Sequence, residues 1–132
     1  MTKEKYHDAL NNLAATVGMG WHERPQRGDH YMLWADAKDA ARCACKFWNP
    51  LLLDHQLVML LAKVLDSGKA YHLALDSCHL VADRAWVATI RGIKRGAFQP
   101  DKDSWRVALV KACIVICGGE LPEEPDDKEE KA

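Results

Sequence analysis

The side chains best equipped for chemistry are five cysteines, a short Asp-Ser-Cys-His run and a basic segment broken by glycines. Cys43-x-Cys45 and Cys78-His79 bring soft ligands together, and Cys113 and Cys117 stand four apart on one helical face. Structural zinc is usually held by two ligand pairs, each with about two to four residues between its members. That double spacing is absent, so no metal or other cofactor is expected. Cys113 and Cys117 then belong in the core, where free cysteine commonly lies.

Asp76-Ser77-Cys78-His79 has the composition of a nucleophilic site. Neighbouring residues on an extended segment point to opposite faces, so the four cannot converge. Working triads draw on separated segments and need an oxyanion donor. A polar turn between strands accounts for the run, and no catalytic residue is assigned. Asp36 with Asp39, and Asp101 with Asp103, are read as carboxylates beside helix starts, where they complement the helix dipole. His22-Glu23 stands alone on a turn-rich segment, and His55 reads as a partly exposed helix residue.

Arg91-Gly92-Ile93-Lys94-Arg95-Gly96 is the remaining candidate. Glycine lets backbone N–H groups approach an anion, and arginine grips phosphate with a planar fork. Arg91, Lys94 and Arg95 are therefore candidate ligand-binding residues for a nucleotide, a nucleic-acid backbone or an acidic protein surface. The segment lacks a P-loop spacing or a dinucleotide fingerprint, and a solvated connection is the plainer account.

The elements that must position these groups follow from periodicity. Tyr6, Leu10, Leu13, Ala14 and Val17 line one face of a helix over residues 3–17, stopped by Gly18 and Gly20. Arg24 to Asp29 is turn-rich, and Tyr31-Met32-Leu33-Trp34 has strand composition. Residues 35–47 are ambiguous: a short helix over Asp36–Ala44 and an extended segment over Cys43–Trp48 both fit. Asn49-Pro50 predicts a helix from Pro50 to Asp66, capped by Asn49, with Trp48 packed on Leu53 as a staple. Ser67-Gly68 ends it.

Residues 70–76 and 84–91 alternate like strands, with too long a connection for a tight hairpin unless a strand continues through Cys78-His79-Leu80-Val81. A last helix starts near Asp103, below the breaker Pro100, and ends at Gly118-Gly119. Its apolar residues, and those of the 50–66 helix, exceed one face, so each is buried or meets a partner. The expected fold class is α/β in the α+β sense: a small, mainly antiparallel sheet layered with about three α-helices.

A chain of 132 residues, 48% hydrophobic and 28% charged, is long enough for one domain and too short for two. Residues 1–119 are expected to form it. Residues 120–132 carry seven acids and two lysines, a net of −5, and are expected to be a disordered, solvated tail whose deletion leaves stability unchanged. The other residues hold 16 basic and 12 acidic side chains, a net of +4. That mild excess, with an overall charge of −1, argues against a general nucleic-acid binder. The start MTKEKYHDAL has no apolar leader, and Leu51–Leu65 is interrupted by Asp54, His55, Gln56 and Lys63, so no membrane span is expected. An odd number of cysteines without a leader suggests free thiols in a reducing cytoplasm. Five tryptophans are many for this length; most belong in the core, and an exposed one would mark a contact surface.

Four segments together carry a resemblance. An N-terminal helix leads into Met19-Gly20-Trp21. Phe47-Trp48-Asn49-Pro50 opens a long helix. Trp86-Val87-Ala88 sits in a strand pair. The closing helix contains Ala108-Leu109-Val110-Lys111-Ala112-Cys113. Over residues 3–117 the pattern resembles small phage and prophage proteins of the phage ABA sandwich type. The resemblance implies a sheet layered between helices and a phage context, and assigns no catalytic residue. The leading functional expectation is a non-catalytic phage- or prophage-type accessory protein that binds a host component, such as a protein of a bacterial defence system. The alternatives are a small-ligand binder that sequesters a nucleotide through the basic loop, and an enzyme whose site the motifs do not reveal. A homo-oligomer is open on any of them.

Overall fold

A computed structural model of the protein describes residues 2–25, 32–80, 83–92, 95–102 and 104–125. Helix α1 spans Lys3–Leu13, and Thr2 caps it by accepting from the Lys5 amide at 3.2 Å. A wider π turn over Ala14–Gly18 continues it, so the expected helix over 3–17 changes pitch at its end. Strands β1 (His22–Pro25), β2 (Met32–Ala35) and β3 (Ala41–Ala44) form one antiparallel sheet in the order β1-β2-β3. A 3-10 turn over Cys45–Phe47 follows, and helix α2 spans Asp54–Asp66. Strands β4 (Ala70–Leu80), β5 (Asp83–Gly92) and β6 (Gly96–Asp101) form a second antiparallel sheet in that order, and helix α3 (Trp105–Ile116) follows.

The α+β class stands as expected, with two three-stranded sheets in place of one. Helix α3 is the centre. It packs on β5 and β6 on one side, and on α1, the π turn and α2 on the other. Every residue from Val107 to Ile114 is consequently buried, which explains its all-round apolar composition. Ala88, Ile90 and Ala97 form the sheet surface beneath it. Small residues there let the helix approach closely.

Several boundaries differ from the sequence reading, each for a local reason. α2 begins four residues after Pro50, because Asn49 turns the chain instead of capping it. Its carbonyl accepts from the Leu52 and Leu53 amides, and its side-chain oxygen accepts from Asn11 Nδ2 at 3.1 Å. Buried Gln56 reaches back and accepts the Asn49 amide while donating to the Phe47 carbonyl at 2.8 Å. Trp48 packs edge-on against Trp21, with ring centroids 4.9 Å apart, and donates its indole N–H to the Asn11 carbonyl.

β1 occupies His22–Pro25, part of the segment read as turn-rich. Residues 26–31, including Tyr31, lie outside the described set. β4 and β5 run to Leu80 and Asp83 and pair there, so the supposed long connection is mostly strand. Pro100 lies within β6, an edge strand that can spare its N–H.

The C-terminal residues also differ where they are described. Leu121 packs partly against the core, and Glu124 accepts from the ammonium of Lys111 at 2.5 Å and from the Tyr6 hydroxyl at 3.4 Å. Leu121 and Glu124 of the expected solvated tail thus contact the domain; residues 126–132 lie outside the described set. Among the described residues, no helix is long and apolar enough to cross a membrane.

Candidate functional site

The basic loop closes the β5–β6 hairpin. The Gly92 amide donates to the Arg95 carbonyl at 2.9 Å, so it is not offered to an anion. A Cβ on Gly92 would fall on the Lys69 carbonyl oxygen and 2.6 Å from that of Arg95. The glycine is therefore required by backbone packing. Arg91 is exposed and pairs in register with His72 and Gly96. Exposed Arg95 sends its guanidinium towards Gly118, beside the last turn of α3, where a cation complements the helix dipole. Lys94 lies outside the described residues.

The other sequence candidates separate. On β4, Asp76 is level with Val87 and Ser77 with Trp86, so the two side chains take opposite faces. Side chains at Cys78 and His79 are outside the described set. Cys43 and Cys45 are half-buried, Cys113 is buried and Cys117 half-buried. Burial pushes all four thiols up, Cys113 to about 12, and at Cys117 the charge of Lys69 only partly opposes it. Four protonated thiols make poor nucleophiles. Among the described residues, no three His, Cys, Asp or Glu side chains converge as metal ligands would.

Asp36 and Asp39 do not start a helix, contrary to expectation; they shape the tight β2–β3 turn. One Asp36 oxygen accepts from the Lys38 and Ala40 amides at 2.9 and 3.0 Å, and the other from Arg42 at 2.6 and 2.9 Å. Asp39 adopts a left-handed φ of 63°, which Asp tolerates, and bonds His22 at 2.9 Å. Asp101 accepts from the Ser104 amide at the start of α3. Asp103 is outside the described residues, and His55 is exposed on α2.

The Ala40 amide, and then Arg42, hold the Asp36 carboxyl below its ordinary 3.8. The ionised form is the one bonded in the fold. The turn's bonds are therefore intact at neutral pH and are lost as pH falls through that lowered pKa. In an NMR titration, the Lys38 and Ala40 amide signals should move together with a midpoint below 3.8.

Two surface features arise only from the fold. The first is a cleft of about 590 Å³ between the π turn with its following loop, the β2–β3 turn and the second half of α2. Exposed Lys38, Lys63 and Lys69 line it from three separate elements, and none has a carboxylate partner among the described residues. Three lysines 25 and six residues apart leave no motif in the sequence, and only the fold collects them.

The second is the opposite flank of α2. Val58, Leu61 and Leu65, at positions i, i+3 and i+7, form an apolar stripe on which Val58 is 62% and Leu65 40% exposed. Leu52 and Phe47 add exposed apolar surface before the helix. The surplus apolar residues of the two helices thus divide: those of α3 are core, whereas Val58 and Leu65 of α2 face water and Leu61 between them is half-buried against the core. The tryptophans do not mark this surface, since Trp21, Trp34 and Trp48 are buried and Trp86 and Trp105 partly so.

Comparison with models of known protein families, with curated proteins and with solved structures finds no match to this chain.

Proposed function

We propose that the protein is a non-catalytic accessory protein of the phage or prophage type, acting by docking on a host protein through α2. The observation that carries this reading is the apolar stripe of Val58, Leu61 and Leu65 on a helix whose other side is anchored in the core by Leu57, Leu60 and Val64. An amphipathic helix read through i, i+3 and i+7 anchors suits a hydrophobic groove on a partner. Leaving large apolar side chains in water has no benefit to the isolated domain. The raised cysteine thiols and the structural use of Asp36, Asp39 and Asp101 support a role without chemistry. The phage context rests on the resemblance of residues 3–117.

Affinity capture from bacterial lysate should recover one stoichiometric host protein. A Val58→Asp/Leu65→Asp variant should lose it while its melting temperature stays within a few degrees, because exposed helix positions tolerate substitution to within about 0.5 kcal/mol each. Capture of the same protein by the variant, or no stoichiometric capture by the wild type, would overturn the reading.

A further inference from the structure

We propose that the cleft beside α2 is a binding site for a nucleoside polyphosphate, held by Lys38, Lys63 and Lys69. The site lies on the flank of α2 away from the apolar stripe and stands independently of the docking reading.

Charge is the first argument. Lys38 comes from the β2–β3 turn, Lys63 from α2 and Lys69 from the segment leading into β4, yet all three line one cavity. Like charges gathered without carboxylate partners repel one another and make a focused positive potential that an anion relieves. Asp36 also lines the cavity, but both its oxygens are occupied, one by Arg42 and the other by backbone amides. The Asp36–Arg42 pair is neutral as a unit, so the three ammonium groups dominate. Lysine is a compact point charge suited to phosphate oxygens, and three of them match the charge on a di- or triphosphate.

Shape is the second argument. A cavity of about 590 Å³ lies within the usual range for small-molecule sites, about 300–1,000 Å³. Val17, Trp21 and Met59 give it apolar wall as well as charge, which suits a flat base beside phosphates.

Preorganisation is the third. Lys38 sits on a turn fixed by Asp36 within the turn and by His22 and Arg24 from β1, with Arg24 donating to the Asp39 carbonyl at 2.6 Å. Gly18 brings the π turn so close to α2 that a Cβ there would stand 2.6 Å from Leu60 Cδ1. Gly20, at φ 73°, then turns the chain along the cavity wall. π turns within helices recur at functional sites. A single-stranded nucleic acid would present the same phosphates, but the chain's overall charge of −1 argues against it, and the experiment separates the two.

Calorimetric titration of the full chain with ATP at moderate salt is the test. Saturable binding is expected, with adenosine failing to compete. Lys63→Gln/Lys69→Gln should raise the Kd about ten-fold or more, because each charge-assisted phosphate contact is worth about that factor. Lys5→Gln on α1 should leave the Kd unchanged, and circular dichroism melts should confirm that both variants fold. Absence of ATP binding at millimolar concentration would overturn the proposal, as would an unchanged Kd in the double variant. So would preferential binding of a ten-residue oligoadenylate that ATP does not displace.

Discussion

Replacing Gly92 with alanine should destabilise the protein by about 3 kcal/mol or more, the upper end of what an overpacked site costs. The new methyl group would meet the carbonyl oxygens of Lys69 and Arg95. Both belong to backbone, so neither can rotate aside as a side chain could. The Arg95 carbonyl is also the acceptor of the Gly92 amide that closes the β5–β6 hairpin. Relief would break that bond or shift β6 away from α3. Gly96→Ala is the matched control in the same loop. Its Cβ would stand 3.5 Å from the Ile90 carbonyl, an ordinary contact, so less than about 1 kcal/mol should be lost. Urea unfolding of the two variants checks this, and equal small losses would refute the structural role given to Gly92.

The second large effect concerns Lys111. It is 3% exposed in the middle of α3, and its ammonium reaches only the Pro100 carbonyl at 2.8 Å and Glu124 at 2.5 Å among its described partners. Burial, followed by the negative charge of Glu124, pushes the Tyr6 hydroxyl well above its ordinary range, so Tyr6 remains protonated and donates to the same carboxylate. Removing one partner of a buried ion pair typically costs about 3–5 kcal/mol, since the other charge stays buried. Glu124 still faces solvent, which lowers the expectation for Glu124→Ala to about 2–3 kcal/mol. Lys111→Met removes the buried charge itself and should cost less. In that background Glu124→Ala should cost only the Tyr6 hydrogen bond, about 1 kcal/mol or less, and the thermodynamic cycle isolates the Lys111–Glu124 pair. Truncation at residue 120 removes both Leu121 and Glu124 and should lower the melting temperature by several degrees. The composition of residues 120–132 suggested no such loss, because composition cannot say that one of seven acids has a buried partner.

Local rules served well where one element decided the outcome. The apolar excess around Trp105–Ile116 predicted an enclosed helix, and α3 is enclosed. Ser67-Gly68 predicted the end of α2, and Gly68 takes the left-handed φ of 76° such an end requires. Rules failed where distant residues competed for the same atoms. Asn49 has the type and position of a helix cap, but Asn11 and Gln56 take its side chain and amide, and the helix starts at Asp54 instead. Asp36 and Asp39 have the composition of helix starts, and Arg42 and His22 draw them into a β-turn. Lys111 lies inside an all-round apolar helix, and nothing local to it identifies Pro100 and Glu124 as its partners. The candidate sites were less legible still. The charges of the basic loop are adjacent in sequence, whereas Lys38, Lys63 and Lys69 line one cleft only after three elements fold together. The stripe on α2 is visible as surplus hydrophobicity, but which flank faces water depends on where α3, β4 and the π turn pack.

The central claim is that the α2 stripe meets a different protein. Native mass spectrometry of the untagged full chain tests it most directly, first alone and then with its captured partner. The account predicts a 14.8 kDa monomer when pure and a one-to-one complex with the partner, absent for Val58→Asp/Leu65→Asp. A homo-oligomer that the same two substitutions convert to monomer would contradict it, because the stripe would then be covered by a second copy of this chain.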